Sequence, residues 1–188
     1  MAVDTLHAHG VLVYPTDSCY ALGCAMGAKD AMEGIQRIRQ TDKHHFFTLV
    51  CRDLSEISRY ARVNNWQYRS LKAFSPGPYT FVLQATREVP RRLMNERRRT
   101  VGIRVPDHPV VQMLLDELGE PLMSTTLHLP GDEFPMTDAA EIHARIGHAV
   151  DLVLDGGNCG LEPTTVVDLT GDAPLILRVG KGDPTPFQ

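Results

Sequence analysis

The stretch Val11-Leu12-Val13-Tyr14-Pro15-Thr16-Asp17-Ser18 contains the pattern on which the fold prediction rests. Four consecutive apolar residues are typical of a buried strand, and the proline ends it because proline cannot donate a hydrogen bond to a strand ladder. Three polar side chains follow at once. In α/β proteins, ligands bind where strands of the sheet end. The stretch therefore predicts a buried strand that delivers polar groups to a site.

Apolar runs and helical patterns alternate outward from this stretch. Helices are predicted over 28–39, 65–74 and 137–146, with a short one after an Asp53–Glu56 capping box. A further helix is predicted to be capped by Asp107, with Pro109 in its first turn and Gly119 at its end. The predicted strands are 11–14, 46–51, 79–83, 101–105, 122–125, 152–154, 165–167 and 175–177. This order predicts an α/β fold with a twisted, mixed parallel and antiparallel sheet flanked by helices.

Length and composition suit a single domain over residues 1–188, because the chain is 43% apolar and 22% charged. Lys and Arg number 19 against 23 Asp and Glu, so the net charge is −4. That balance argues against a generally basic protein that coats nucleic acid, while leaving room for a local basic patch. Residues 183–188 are rich in proline, and we expect them to form a loose tail.

Several function classes lack their signatures in the sequence. No segment approaches the roughly 20 apolar residues of a membrane span, and the first residues do not resemble a signal peptide, so we expect a cytoplasmic protein with no membrane partner. The glycine-rich phosphate loop and the dinucleotide-binding fingerprint are absent. The four cysteines follow no zinc spacing, and His44-His45 has no carboxylate or cysteine at ligand spacing. No metal site is predicted.

Two arginines stand within apolar strand patterns, Arg104 in Ile103-Arg104-Val105-Pro106 and Arg178 in Leu177-Arg178-Val179-Gly180. Ser124-Thr125-Thr126 ends another predicted strand. Guanidinium groups and hydroxyls together can donate hydrogen bonds to the oxygens of a carboxylate or a phosphate. The alternative is structural, since each arginine could extend to solvent or pair with an internal aspartate.

A basic run in an otherwise acidic chain is a candidate surface for anions or RNA. Residues 91–99 contain five arginines and one glutamate, the arginines being Arg91, Arg92, Arg97, Arg98 and Arg99. The alternative is a solvated surface, the commoner outcome for a run of charges. No aromatic residues interleave these arginines, so stacking on single strands is not indicated.

A set of motifs resembles the YrdC-like threonylcarbamoyl-adenylate synthases. They are Val13 to Cys24, Ser75-Pro76-Gly77-Pro78-Tyr79-Thr80, Gly102 to His108, Ser124-Thr125-Thr126, Thr164 to Leu169 and Arg178-Val179-Gly180. Their order and spacing follow the family from Gly10 to Gly182. The resemblance implies the family fold and its reaction, in which L-threonine and bicarbonate form a carbamate that attacks the α-phosphate of ATP. The threonylcarbamoyl group then goes to tRNA with the help of other tRNA-modification proteins, and ATP enters with Mg²⁺.

The resemblance also implies roles for individual residues. Thr16, Arg104 and Ser124 would hold the amino acid and carbamate, Tyr20 would line the pocket, and His45 stands where the family often has Asn or His. Arg39 takes the place of the lysine that grips phosphate, so that Arg39, Arg104 and Ser124 are the catalytic candidates. Thr126, His128, Thr164 and Arg178 would contact the nucleotide.

Two departures from the family pattern resemble its YciO-type branch. The family's Lys-x-Arg-Pro becomes Arg39-Gln40-Thr41-Asp42, and the Asn of its Ser-Thr-Ser-Ala-Asn run becomes His128. Loss of a cation at Thr41 implies weaker binding of a triphosphate. Three hypotheses therefore stay open: a synthase with weak or altered activity, a module that binds double-stranded RNA or tRNA through Arg37 and the basic run without making adenylate, and a divergent enzyme for another nucleotide or acyl substrate.

Overall fold

A computed structural model describes residues 1–41 and 47–188, and the structural statements below concern that part of the chain. The helices are α1 (Ala2–His7), α2 (Lys29–Arg39), α3 (Leu54–Tyr60), α4 (Asn65–Phe74), α5 (Pro109–Leu118) and α6 (Ala139–Ile146). The strands are β1 (Leu12–Tyr14), β2 (Ala21–Ala25), β3 (Thr48–Val50), β4 (Ala61–Arg62), β5 (Tyr79–Ala85), β6 (Thr100–Arg104), β7 (Leu122–Thr126), β8 (Leu152–Val153), β9 (Thr165–Asp168) and β10 (Leu175–Arg178).

The described strands form one mixed sheet in the order β10-β9-β5-β6-β3-β7-β2-β1-β8, with β4 paired to β5. The pairs β1–β8, β3–β6 and β5–β9 are parallel. The remaining pairs are antiparallel, including β2 with both β1 and β7. The predicted α/β fold with a mixed sheet flanked by helices is confirmed.

Alternation along β1 divides the core between the two faces of the sheet. Leu12 and Tyr14 pack with α1 and α5, while Val13 belongs to the larger core beneath α2, α3, α4 and α6. Helices therefore pack on both faces of the sheet and bury its central strands, whereas β10 at the edge is largely exposed. Within the described ranges, no helix is both long and apolar enough to cross a membrane.

The start of α5 differs from the prediction. The cap is His108 rather than Asp107, and its ring Nδ1 accepts a hydrogen bond from the Val110 amide at 3.2 Å. Pro109 occupies the first helical position, so the capping position is the residue directly before it. The amide of Asp107 instead donates to the Asp17 carboxylate at 2.9 Å.

The end of the chain also differs from the prediction of a loose tail at residues 183–188. Residues Thr185–Phe187 form a short 3₁₀ helix, and Phe187 is only 6% exposed. Its ring centroid lies 4.8 Å from that of Phe74, 5.7 Å from that of Tyr79 and 6.0 Å from that of Phe81. The buried ring of Phe187 thus anchors the end of the chain to the core, which the proline-rich composition did not indicate.

Candidate functional site

A cavity of about 670 Å³ lies against the central strands of the sheet. Its wall includes residues of β3, β5, β6 and β7, and the loops around them complete it. Of the predicted site residues, the cavity brings together Arg39, Arg98, Arg104, Ser124, Thr126, His128, Thr164 and Arg178. A cavity of this size and polarity suits a small molecule of nucleotide dimensions.

Arg104 is held by the loop that follows β1. Its Nη2 donates to the Asp17 carboxylate, and its Nη1 donates to the Ser18 hydroxyl at 3.3 Å. The side chains of Arg104 and Asp17 are each 10% exposed. Arg104 thus has the internal aspartate partner that the structural alternative anticipated, and its buried Nε has no partner among the described residues. The guanidinium is oriented at the cavity wall by Asp17.

Arg39 ends α2 and reaches β7. Its Nη1 donates to the Thr125 hydroxyl at 3.2 Å and to the carbonyl of Thr126, while its buried Nε has no hydrogen-bond partner in the part of the chain that the structure describes. Burial lowers the pKa of Arg39, because a charged group loses hydration inside the protein. The hydroxyl of Thr41 is also buried, and it has no hydrogen-bond partner among residues 1–41 and 47–188. Arg39 therefore holds a positive charge against neutral oxygens at the cavity.

Thr164 and Arg178 contact each other at the edge of the sheet where β9 and β10 pair. Arg178 donates from Nε and Nη2 to the Thr164 carbonyl at 3.1 and 2.8 Å, and its Nη2 is 3.2 Å from the Thr164 hydroxyl. That hydroxyl is also 2.7 Å from the hydroxyl of Thr80 on β5. Burial lowers the pKa of Arg178. This group combines a guanidinium with two hydroxyls, a combination suited to phosphate oxygens.

Ser124 lies in the middle of β7, opposite Gly23 of β2. Its hydroxyl donates to the Leu22 carbonyl at 3.1 Å, and the hydroxyl of Tyr14 is 2.6 Å away. Tyr14 is fully buried, and burial raises the pKa of its phenol to about 12. Sequence reasoning did not select Tyr14, although it ends the strand from which the site was predicted.

Two predicted pocket residues lie behind the cavity wall. Thr16 donates to the Cys19 carbonyl at 2.6 Å and accepts from the Ser18 amide at 3.1 Å, so it shapes the loop after β1. Tyr20, predicted to line the pocket, is not among the lining residues. Its hydroxyl donates to the Gly157 carbonyl at 2.6 Å and accepts from the Gly156 amide at 3.2 Å. Neither residue lines the cavity, and their roles in binding stay predictions.

Two histidine predictions have different outcomes. His128 lines the cavity, where its Nε2 is 2.8 Å from the carbonyl oxygen of Asp132. That nitrogen is engaged by the protein, so a ligand would meet other atoms of the ring. His45 lies outside the described residues, and its assignment stays a prediction.

The arginines predicted to bind RNA do not form one uniform set. Arg98 lines the cavity and donates to the Asp168 carboxylate at 2.7 Å and to the Thr170 hydroxyl at 3.0 Å. Burial alone would raise the pKa of Asp168, but hydrogen bonds from the Thr170 hydroxyl and amide, and then from Arg98, lower it below its usual value. The others are exposed to solvent: Arg37, Arg91, Arg92, Arg97 and Arg99. Their contact with RNA stays a prediction.

Several cavity residues were not identified from the sequence. Thr80 and Thr100 come from neighbouring strands, and Cys19 comes from the loop after β1. Burial raises the pKa of the Cys19 thiol to about 11, so it is neutral near pH 7. Across residues 1–41 and 47–188, no group of three or more His, Cys, Asp or Glu side chains is placed to hold a metal ion.

Comparisons with known proteins find relatives over nearly the whole chain. Residues 4–180 match the family model of the Sua5, YciO and YrdC proteins, which carries the description "Telomere recombination". Escherichia coli YciO is 54% identical over 186 residues, which cover 99% of this chain and 90% of that protein. Its crystal structure matches with a TM-score of 0.94, covering 100% of this chain and 91% of that chain.

Two further relatives have more explicit descriptions. A threonylcarbamoyl-AMP synthase of Serratia proteamaculans is 32% identical over 174 residues, covering 90% of this chain and 91% of that protein. The crystal structure of P. abyssi Sua5 complexed with L-threonine is 24% identical with a TM-score of 0.86. It covers 95% of this chain and 53% of that chain, and at this identity it shows the shared fold.

Proposed function

The chain belongs to the Sua5/YciO/YrdC family, and from that premise we propose that it forms threonylcarbamoyl-AMP from ATP, L-threonine and bicarbonate. In this proposal it works in the cytoplasm, and other proteins help to pass the threonylcarbamoyl group to tRNA. Mg²⁺ enters as part of the ATP complex.

The observation that carries the proposal is the state of the arginines in the cavity. Arg104 has a carboxylate partner, but the hydrogen bonds described for Arg39 and Arg178 go to neutral oxygens. Arg39 is half-buried, and within residues 1–41 and 47–188 no carboxylate pairs with it, so an anionic ligand would relieve the cost of burying its charge. Arg178, which is exposed at the cavity, adds a second cation, and the two together support the binding of a polyanion such as the triphosphate of ATP.

The proposed reaction needs positioning and charge neutralisation rather than a covalent enzyme intermediate. The threonine nitrogen adds to bicarbonate with loss of water, giving a carbamate. A carbamate oxygen then attacks the α-phosphorus, and the bond to the leaving pyrophosphate breaks. Arg104 and Ser124 would hold the amino acid and carbamate, and Arg39 would stabilise the charge that develops on the phosphate.

The nucleotide would lie between the remaining cavity groups. Arg178 and Thr164 would contact its phosphates, and Thr126 and His128 would contact the rest of the nucleotide. The wider guanidinium of Arg39, in place of the family's lysine, permits the same neutralisation with a different geometry.

Pyrophosphate release by the purified chain, with ATP and Mg²⁺, tests the proposal. Release should require both L-threonine and bicarbonate. Arg39→Gln and Arg178→Gln should each lower the rate by about 100-fold, the usual effect of removing one charge-stabilising group. Arg69→Gln, on the exposed surface of α4, is the matched control and should leave the rate unchanged. Release that is independent of L-threonine or bicarbonate would refute this reaction and favour a different acyl substrate.

A further inference from the structure

The hydroxyl of Ser124 sits between two fixed partners. Its Oγ is 3.1 Å from the Leu22 carbonyl oxygen and 2.6 Å from the Tyr14 phenol oxygen. Ser124 and Tyr14 are 4% and 0% exposed, so water has little access to either group. Ser124 nevertheless lines the cavity. A ligand that reaches Ser124 therefore meets a hydroxyl that already makes hydrogen bonds to Tyr14 and Leu22.

The protons available to Ser124 and Tyr14 determine which atom donates in each of these two hydrogen bonds. A carbonyl oxygen can only accept, so the single proton of Ser124 goes to Leu22. The bond between Tyr14 and Ser124 must then be donated by Tyr14. Burial raises the pKa of Tyr14 to about 12, so the phenol retains this proton at ordinary pH. Ser124 is left with one unused lone pair and no proton to offer.

We propose that Tyr14 makes Ser124 a hydrogen-bond acceptor toward the cavity and thereby selects an acyl substrate with an N–H group. The inference rests on the proposed function, in which that substrate is L-threonine. The amino group of threonine has N–H donors, and its carbamate keeps one. The same acceptor can therefore hold the nitrogen before and after it adds to bicarbonate.

The neighbouring strand makes room for this arrangement. A Cβ placed on Gly23 would lie 2.8 Å from Cε1 of the Tyr14 ring, closer than carbon atoms pack. Gly23 pairs with Leu12 on one side and with Ser124 on the other. The absence of a side chain at Gly23 thus allows the Tyr14 ring to reach Ser124 across β2.

Calorimetric titration of the full chain with L-threonine and with (R)-3-hydroxybutanoate, which lacks the amino group, tests this role. The wild type should prefer L-threonine, and Tyr14→Phe should reduce that preference about fivefold, the size of one modest hydrogen bond. Ser124→Ala should reduce it at least as much, and adding Tyr14→Phe to Ser124→Ala should change it no further. Tyr79→Phe removes a phenol that bonds the Asp183 carbonyl, and it should leave the preference unchanged.

The outcomes separate this inference from the proposed function. If the wild type binds no L-threonine, both are overturned. If it binds L-threonine and folded Tyr14→Phe keeps the full preference, the role of Tyr14 is overturned while the proposed function stands. Should thermal melting show that Tyr14→Phe does not fold, Ser124→Ala decides, because an unchanged preference in that variant also overturns the inference.

Discussion

Asp17 is the residue on which the geometry of the Arg104 side chain depends. One carboxylate oxygen accepts from Arg104 and the other from the Asp107 amide, while the Asp17 carbonyl accepts from Lys181. Both members of the Arg104–Asp17 pair are largely buried. Removing one charge from such a pair leaves the other without compensation, which costs more than the pair itself contributes.

Asp17→Asn should therefore destabilise the protein by about 3 kcal/mol. Asparagine replaces one of the two carboxylate oxygens with an NH2 group, which can only donate. That NH2 group must then face a second donor, either Arg104 or the Asp107 amide. Asp132→Asn is the matched control, since it weakens the Arg145–Asp132 pair, whose side chains are 42% and 24% exposed. It should cost less than about 1 kcal/mol. Urea denaturation measures both, and equal costs would show that burial of the Asp17 pair has no special effect.

Sequence reasoning at the residue scale found side chains but not their partners. An arginine within an apolar strand needs an anionic partner, and the partner of Arg104 in the structure is Asp17, 87 residues earlier, to which no local spacing pointed. Arg98 was assigned to an RNA surface together with the other arginines of the basic run. Its partner Asp168 is 70 residues away, so no local pattern links the two. Partners of this kind are set by strand order, which a local pattern does not contain.

At the scale of elements, α5 begins with an uncommon cap. His108 can accept from the Val110 amide only while its Nδ1 is unprotonated. Burial lowers the pKa of His108 below its usual value, although the charges of Asp17 and Asp107 oppose the shift. The folded state therefore binds a proton less readily than the unfolded chain does.

Lowering the pH should weaken the protein through this cap. The unfolded chain takes up the proton near pH 6.5, whereas folded His108 takes it up at lower pH, so stability contributed by the neutral ring is lost as the pH falls below about 6.5. His108→Asn keeps an acceptor at every pH, since asparagine also caps helices. The free energy of unfolding, measured from pH 8 to pH 5, should fall more steeply for the wild type than for His108→Asn. Parallel curves would contradict the role of His108.

Elements were predicted well where their signals are local. α4 has the predicted bounds because it carries its own capping box, formed by Asn64 and Gln67. β2 was not predicted, because all five of its residues are buried and Gly23 interrupts its apolar pattern, so no alternation marks it as a strand. β2 contributes Ala21 to the cavity wall, whereas Arg104, Ser124 and Arg178, which also line it, come from strands that were predicted.

At the scale of the whole molecule, the end of the chain secures the side of the sheet that carries Arg178. After β10, the Lys181 amide donates to the Pro163 carbonyl at 2.9 Å, and the Thr165 hydroxyl donates to the Gly182 carbonyl at 2.5 Å. Phe187 then packs into the aromatic cluster beside β5. The chain that follows Arg178 is thus held by hydrogen bonds to residues 163 and 165 and by the packing of Phe187.

Phe187→Ala should destabilise the whole protein by about 3 kcal/mol, because it removes a buried aromatic ring from the core. Phe134→Ala is the matched control, since Phe134 is 53% exposed at the cavity, and its removal should change stability by no more than about 0.5 kcal/mol. Urea denaturation of both variants measures the difference. A small effect of Phe187→Ala would mean that the tail is loose, as its proline content predicted. A large effect would mean that the last residues belong to the same cooperative unit as the sheet, because the ring of Phe187 packs against Tyr79 and Phe81 of β5.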